Sequence, residues 1–382
     1  MNTPAAARFS ERRLPPWRRA VLKVGSNLLT AGGAELAQTH ARGLAEFITA
    51  SRAQGREVVL VSSGAVAAGR ARVAGDVPND GLVLRQALAA LGQTRMVALW
   101  QSLIATPVAQ VLLAHDDLRN RRRYLNARNT LLELLRLKSL PVINENDTVA
   151  VEELKLGDND NLAAIVAALV DADLLLIASD VDGLYDAHPK LHPDAKPIET
   201  VTAVTPEILK MAGEAGSARG TGGMRTKLEA AMKAANAGVA TVIFDGTNPQ
   251  TVALLAQGAF RGTLFAAAGT RLAARKYWLR HAPGSGGAIR VDAGAARALG
   301  AGKSLLPGGI VAVEGEFARG DIVEIRHADG AAIARGLVQY NAGEVRRISG
   351  KQSREIETLL GFSYGDNVVH RDDLVVLEEA MA

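Results

Sequence analysis

The chain has 382 residues, 48% of them apolar, enough to bury a core in each of two domains. It has no cysteine, which excludes disulfides, thiolate metal sites and cysteine nucleophiles, and it has neither an apolar run long enough to span a bilayer nor a signal-like apolar centre between Met1 and Ala20, so a cytoplasmic location is expected. The net charge of +4 is accounted for by the first twenty residues, where Arg8, Arg12, Arg13, Arg18 and Arg19 face only Glu11, and this Pro-, Ala- and Arg-rich segment reads as a disordered basic extension over residues 1–19 that raises the pI.

From Ala20 onward, short β-branched runs alternate with segments of helical period, the pattern of a mostly parallel sheet sandwiched by helices. A strand is predicted over Ala20 to Val24 and is followed at once by Lys23-Val24-Gly25-Ser26-Asn27, where glycine allows a tight turn and lysine puts a cation beside it. A helix near Leu36 to Ala53 leads to a strand over Glu57 to Ser62. That strand ends in Ser62-Ser63-Gly64-Ala65, a helix start whose free N–H groups suit an anion. Taken singly, the first cluster reads more readily as a structural turn with a solvated lysine, and the second as an ordinary capped helix start.

A helix from Leu82 to Leu103 and a strand from Val108 to Leu113 come next, then a helix near Asn126 to Lys138 and a strand from Leu140 to Ile143. The strand opens onto Asn144-Glu145-Asn146-Asp147, and a hairpin predicted over Thr148 to Leu156 joins this to Gly157-Asp158-Asn159-Asp160-Asn161, ahead of an apolar helix from Leu162 to Val170. Capping explains one Asp or Asn here but not the set. A divalent ion is the alternative ligand, although the spacing of an EF-hand loop is missing.

Strands over Leu174 to Ala178 and Val239 to Phe244 flank Gly220-Thr221-Gly222-Gly223-Met224-Arg225-Thr226-Lys227 and a helix from Met224 to Ala237. Three glycines before a helix N-terminus, with Lys227 one turn in, read as a phosphate loop, the alternative being a flexible loop before an ordinary helix. Two other candidates fail. Gly302-Lys303-Ser304 has Arg297 where a P-loop needs glycine, and His370-Arg371-Asp372 lacks the companion elements of a protein-kinase catalytic loop. After a linker over 266–287 the pattern changes to short runs, Gly309 to Phe317, Ile322 to Ile325 and Ala331 to Tyr340, which read as a second, small all-β barrel.

Taken in this order, Val21 to Ser26, Ser62 to Ala65, Pro141 to Asp147, Gly157 to Asn161 and Gly220 to Met224 with Lys227 resemble the amino acid kinase family. The resemblance covers Ala20 to about Asp373, with a kinase domain over 20–265 and a PUA-like domain over 288–373. It implies ATP-dependent conversion of L-glutamate to L-glutamyl 5-phosphate, the first step of proline biosynthesis, with Mg²⁺ carried by ATP, feedback inhibition by proline and a homo-oligomer. Carried over by position, it puts Lys23 and Lys227 at the transferring phosphate with Asp160 orienting both. It puts Ser63, Gly64, Asn144, Asp147 and Asn159 on glutamate, and Lys23, Gly25, Ser179, Asp180, Thr221, Gly222, Gly223, Met224, Arg225, Thr226 and Lys227 along the nucleotide, with no protein ligand to a metal. Ser179-Asp180 stands where the family commonly has Thr-Asp, which leaves the hydroxyl's contribution open.

The chemistry of the residues agrees with such a reaction. A glutamate side chain, with a reference pKa near 4.3, is ionised at neutral pH and attacks phosphorus without a general base, so alignment and charge neutralisation are what is required. A related acceptor such as N-acetylglutamate or aspartate is the rival within the family. The second function class is RNA binding by the PUA-like domain, but residues 288–382 hold eleven Lys and Arg against fourteen Asp and Glu, which disfavours it.

Overall fold

The computed structural model describes residues 8–30, 35–73, 81–149, 159–187, 189, 191, 192, 194–213, 223–269, 276, 279 and 286–377. These divide into two units: one runs to Arg119 and from Ala127 to Thr270, and the other comprises Asn120–Asn126 and the chain from Arg271.

The first unit is built on an eight-stranded sheet: β1 (Arg19–Val24), β2 (Glu57–Ser62), β3 (Val108–Leu113), β4 (Leu140–Glu145), β5 (Leu174–Ser179), β6 (Thr200–Val201), β7 (Ala240–Asp245) and β8 (Thr263–Phe265). They lie in the order β3-β4-β2-β1-β5-β7-β8-β6. The first six in that order are mutually parallel, β8 runs antiparallel to β7, and β6 pairs parallel to β8. Strands β1, β2 and β5 are near-continuous runs of Val, Leu, Ile and Ala and are buried almost throughout, as a parallel sheet covered on both faces requires.

The covering helices include α1 (Ser26–Thr30), α2 (Ala41–Ala53), α3 (Ala65–Arg70), α4 (Leu82–Leu103), α5 (Arg121–Arg136), α6 (Asn159–Leu169), α7 (Met224–Asn236) and α8 (Pro249–Ala256). On one side Leu44, Phe47 and Ile48 of α2 and Met96 and Trp100 of α4 join Leu22, Leu60 and Phe244 of the sheet in a single core. The predicted strands and long helices recur within a few residues. The largest differences are α2, which begins five residues later than expected, and α5, which begins five residues earlier. The predicted hairpin over Thr148 to Leu156 lies almost wholly outside the described residues.

Residues 8–19 correct the expectation of a disordered extension. Arg12 and Arg13 pair antiparallel with Phe260 and Ala259, and Phe9 and Leu14 are buried. The arginines themselves are ties: Arg12 donates to the Glu199 carbonyl and Thr200 Oγ1, each at 2.7 Å, while the Arg18 and Arg19 amides both donate to Asp173 Oδ2. Composition suggested a solvated tail because it counts charge and proline but not partners, which lie more than 150 residues away.

The second unit carries a five-stranded sheet of β9 (Ala288–Val291), β10 (Ile310–Glu314), β11 (Ile322–His327), β12 (Ala332–Val338) and β13 (Val369–Val376), in the order β10-β9-β11-β12-β13. Its core gathers Ile289, Val323, Ile325, Val338, Tyr340, Val345 and Val369. The alternating pattern found the three middle runs but passed over helices at Ala293–Gly300, Ala342–Ile348 and Ile356–Leu360. The second of these begins with a full capping box, in which Asn341 and Glu344 satisfy each other's backbone N–H.

One close approach sets the position of the strand ends. Helix α4 lies against α3 so tightly that a Cβ at Gly92 would stand 1.9 Å from the Ala65 carbonyl oxygen and 2.4 Å from the Gly69 nitrogen. Only a hydrogen fits there. Gly92→Ala should therefore lower unfolding free energy by about 1–3 kcal/mol through forced separation of the two helices, measured by urea denaturation.

Candidate functional site

In an open α/β sheet the ligand crevice lies beyond the carboxyl ends of the strands, and the polar clusters of this chain assemble there. Lys23 and Asn144 are the last but one residues of β1 and β4, Ser63 follows β2, and Ser179 ends β5 with Asp180 next; α3, α6 and α7 begin at the same edge. Gly64 caps α3 at φ 102°, a left-handed backbone that L side chains rarely adopt, and so lets the chain turn sharply from Ser63 into the helix.

The first group is ionic. Asp160, in the first turn of α6, is 1% exposed and stands between two buried lysines: its Oδ1 is 2.5 Å from Lys23 Nζ and its Oδ2 is 3.3 Å from Lys227 Nζ. Thr226 Oγ1 donates to the same Oδ2 at 2.9 Å. Burial alone would raise the Asp160 carboxyl, but the two ammonium groups and the hydrogen bonds from Lys23 and Thr226 outweigh it and hold the group down at about 2. The Lys227 pKa is lowered too: desolvation lowers it, with Asp160 opposing the shift and Lys23 adding to it. The trio keeps one more positive charge than its carboxylate neutralises, a setting suited to an anionic ligand.

Asp180 lies nearby. Burial opposes its ionisation, yet the hydrogen bond from Asn27 Nδ2 at 2.9 Å, together with its own backbone, Lys227 and Ser179, lowers its pKa. Ser179 Oγ donates to Asp180 Oδ1 at 3.3 Å.

The second group is an uncharged relay. Asn159 Nδ2 donates to Ser63 Oγ at 2.7 Å and to Asn144 Oδ1 at 2.9 Å, and Asn144 Nδ2 donates in turn to Gln93 Oε1 at 3.0 Å. Asn159 Oδ1 is buried with no hydrogen-bond partner. Since Ser63 Oγ accepts from Asn159, its own proton is left to donate elsewhere. Asp147 stands two residues beyond β4, half-buried; desolvation pushes its carboxyl up to about 6, against the downward pull of Arg85.

The structure thus brings together Lys23, Asp160, Thr226 and Lys227 in one cluster and Ser63, Asn144 and Asn159 in another, joined through the adjacent positions 159 and 160 of α6. Gly25 lies two residues after Lys23, where an added Cβ would stand 3.8 Å from Lys23 Nζ, and Gly223 caps α7. Met224 is partly buried in the first turn of α7. Arg225 is not brought in: it is exposed and pairs with Glu229 one turn along its own helix. Thr221 and Gly222 lie outside the described residues.

Sequence reasoning missed Gln93, Trp100, Arg85 and the tie from Asn27 to Asp180. For Gln93 there was a signal, because the buried stripe of α4 runs Leu88, Ala89, Gly92, Gln93, Met96 and Trp100, and a glutamine among those residues has to be spending its hydrogen bonds on something. Trp100 donates its indole N–H to Ser62 Oγ at 2.9 Å and so pins the strand end beside Ser63. Among the described residues no group of three or more His, Asp or Glu side chains is placed to hold a metal, and no helix is long and apolar enough to cross a membrane.

The model of the amino acid kinase family matches residues 18–245, and that of the PUA domain matches residues 287–360. The chain is 60% identical over 381 residues to a glutamate 5-kinase of Xylella fastidiosa (strain M12), with 98% of this chain and 99% of that protein covered. It is 63% identical over 364 residues to a glutamate 5-kinase of Xanthomonas axonopodis pv. citri (strain 306), with 94% and 100% covered. Among solved structures, a UMP kinase from Bacillus anthracis aligns with a TM-score of 0.46 at 16% identity, over 66% of this chain and 97% of that one.

Removing the shared carboxylate should expose its role in the fold. Asp160→Asn leaves two buried ammonium groups without their counter-charge, and loss of one partner from a buried ionic group costs about 3–5 kcal/mol. Because the folded-state pKa is depressed, this stability is present above the unfolded value near 3.9 and is lost as pH falls through about 2. Chemical denaturation should therefore show a wild-type advantage that is constant above about pH 5 and shrinks toward pH 2.

Proposed function

Since the chain belongs to the amino acid kinase family, we propose that it transfers the γ-phosphoryl group of ATP to the side-chain carboxylate of L-glutamate, giving ADP and L-glutamyl 5-phosphate. The observation that carries the reading is the placement of two buried lysines on one carboxylate, directly beside an amide and hydroxyl set that can bind an amino acid. The near-full-length relatives named as glutamate 5-kinases support the choice of acceptor. A glutamate oxygen attacks the γ-phosphorus, the bond from phosphorus to the bridging oxygen breaks, and ADP leaves with the electron pair. No base is required, since the nucleophile is already ionised.

Lys23 and Lys227 meet the charge on the transferring phosphoryl group, and Asp160 holds both in place. Ser179, Asp180, Gly223, Met224, Thr226 and Lys227 flank the nucleotide, and Thr221 and Gly222 are assigned to it by their place in the sequence alone. Mg²⁺ carried by the phosphates of ATP would supply further charge neutralisation at the transferring group. On the acceptor side, Ser63 donates to a substrate carboxylate, the Gly64 turn allows close approach, and Asp147 and Asn159 take the ammonium, with Asn144 holding Asn159. Proline shares the α-amino and α-carboxylate groups of glutamate and is read as a competitive feedback inhibitor, in a cytoplasmic homo-oligomer of proline biosynthesis. The PUA domain, with its acidic balance, is assigned no RNA.

An ADP-release assay across L-glutamate, N-acetyl-L-glutamate and L-aspartate tests the acceptor directly. Turnover should be confined to glutamate, and a preference for either other acid would replace it. Lys23→Ala or Lys227→Ala should lower kcat by roughly 10²-fold, about 3 kcal/mol, with smaller effects on either KM; a variant with near-normal kcat would remove that lysine from the transition state.

Asp147 gives the reading a pH signature. Its carboxyl titrates near 6, and a substrate ammonium beside it favours the ionised form, so below that pH glutamate must displace a proton to bind. The KM for glutamate should rise as pH falls through 6, by up to about tenfold per unit, while the KM for ATP stays level. Asp147→Asn should raise the glutamate KM and flatten that profile. An unchanged profile in the variant would take Asp147 off the substrate.

A further inference from the structure

A second concave site lies at the opposite end of the sheet. The amino ends of β2, β3 and β4, with the last turns of α2 and α5, enclose a cavity of about 610 Å³. Four cations line it, Arg52, Arg56, Arg136 and Lys138, against one carboxylate, Glu57. Glu57 is already taken by Arg19, whose Nε and Nη2 stand 2.8 and 2.7 Å from its Oε2. Arg136 is neutralised as well, by a two-pronged pair with Glu133 at 2.6 and 2.8 Å. The other three cations have no carboxylate partner among the described residues. Two of them are nevertheless held in place: Arg52 donates to Thr106 Oγ1 at 2.8 Å and to the Lys138 carbonyl, and the Arg56 guanidinium lies 4.7 Å over the centre of the Trp17 ring. Burial lowers the pKa of Arg52, as it does for a guanidinium that has lost water without gaining a counter-charge.

Cations gather at helix C-termini because the free carbonyls and the dipole there attract them. At this edge those carbonyls are already bonded: the last ones of α2 accept from the amides of Gln54, Gly55 and Arg56, and the last ones of α5 from those of Leu137, Lys138 and Ser139. Two helix ends supply about half a negative charge each, which leaves roughly two of the three positive charges uncompensated. We propose that this amino-edge cavity is a second ligand site, for a small phosphate-bearing molecule of the diphosphate class. Planar guanidinium groups match phosphate oxygens in pairs, and Lys138 adds a point charge. Val58, Ile104 and Leu135 give the rest of the ligand an apolar wall. Since β2 is six residues long, roughly 20 Å separates this site from the crevice at the carboxyl edge.

Hydrogen–deuterium exchange of the full chain, titrated with inorganic pyrophosphate or with GDP, reads both the affinity and the place of binding. GDP is used instead of ADP because ADP is a product of the proposed reaction. Binding should saturate and slow exchange within residues 52–58, 104–108 and 137–140. Lys138 has φ 55°, a backbone that asparagine tolerates, so Lys138→Asn removes one charge with little disturbance of the fold, and Arg52→Gln removes another. Each variant should weaken the amino-edge protection about tenfold, the size of a lost charge-assisted hydrogen bond. Tighter binding of GDP than of pyrophosphate assigns the ligand as a nucleoside diphosphate, and pyrophosphate binding at least as tightly assigns the free diphosphate; either upholds the site. Protection confined to residues 62–65 and 144–147 would put the probes in the carboxyl-edge crevice and overturn the inference. Absence of saturable binding by both probes would overturn it too, as would an unaltered affinity in Lys138→Asn, an arm that decides even if Arg52→Gln does not fold.

Discussion

The site depends on a single carboxylate. Two ammonium groups each about 5% exposed could not remain charged in this interior unless something opposed them, and Asp160 opposes both at once from the first turn of α6. Each lysine comes from a different part of the chain, Lys23 from the end of β1 and Lys227 from α7, so the contact also ties a strand and two helices together at one point. Such an arrangement is poor value as a device for stability, because the desolvation of three charged groups offsets most of the attraction between them. In the proposed reaction its use is chemical: the cations are already desolvated and fixed before an anion arrives, which is the condition under which charge neutralisation in a transition state is most effective.

That single contact constrains its surroundings in sequence. Position 160 must face the lysines, and at 3.6 residues per turn its neighbour at 159 points about 100° away along the same helix end. Asn159 therefore looks toward β2 and β4, where Ser63 and Asn144 meet it. The glycine contact between α3 and α4 supports the same edge from behind, since it lets α4 come close enough for Trp100 to bond Ser62 and for Gln93 to bond Asn144.

How much of this could be read from the sequence follows from the range of the interactions involved. The central strands were legible because burial on both faces leaves a local signature, unbroken runs such as Leu174 to Ala178, and the long helices because α4 and α7 carry their period over many residues. The polar clusters stood out because Asn144 to Asp147 and Gly157 to Asn161 hold more carboxylates and amides than turns need. Contacts between distant residues were not legible. Arg12 to Arg13 looked like a loose basic tail because their partners are at Ala259 and Phe260, and Arg225 looked like part of the phosphate loop although its side chain is taken by Glu229. Short helices such as Ala342–Ile348, specified by a cap and one turn of packing, are below what periodicity can detect.

The adjacency of 159 and 160 has a mechanistic corollary. Phosphoryl transfer requires the attacking oxygen, the phosphorus and the leaving oxygen to lie nearly in line, so the pockets for donor and acceptor must hold a fixed separation. Two pockets built from separate loops would change that separation with every local fluctuation. On the proposed reading one helical turn contributes to both: Asp160 holds the two lysines assigned to the phosphate, and Asn159 belongs to the set assigned to the acceptor. Their relative position is set by the backbone hydrogen bonds of α6 and not by loop closure. A shift of that turn would move Asp160 and Asn159 together.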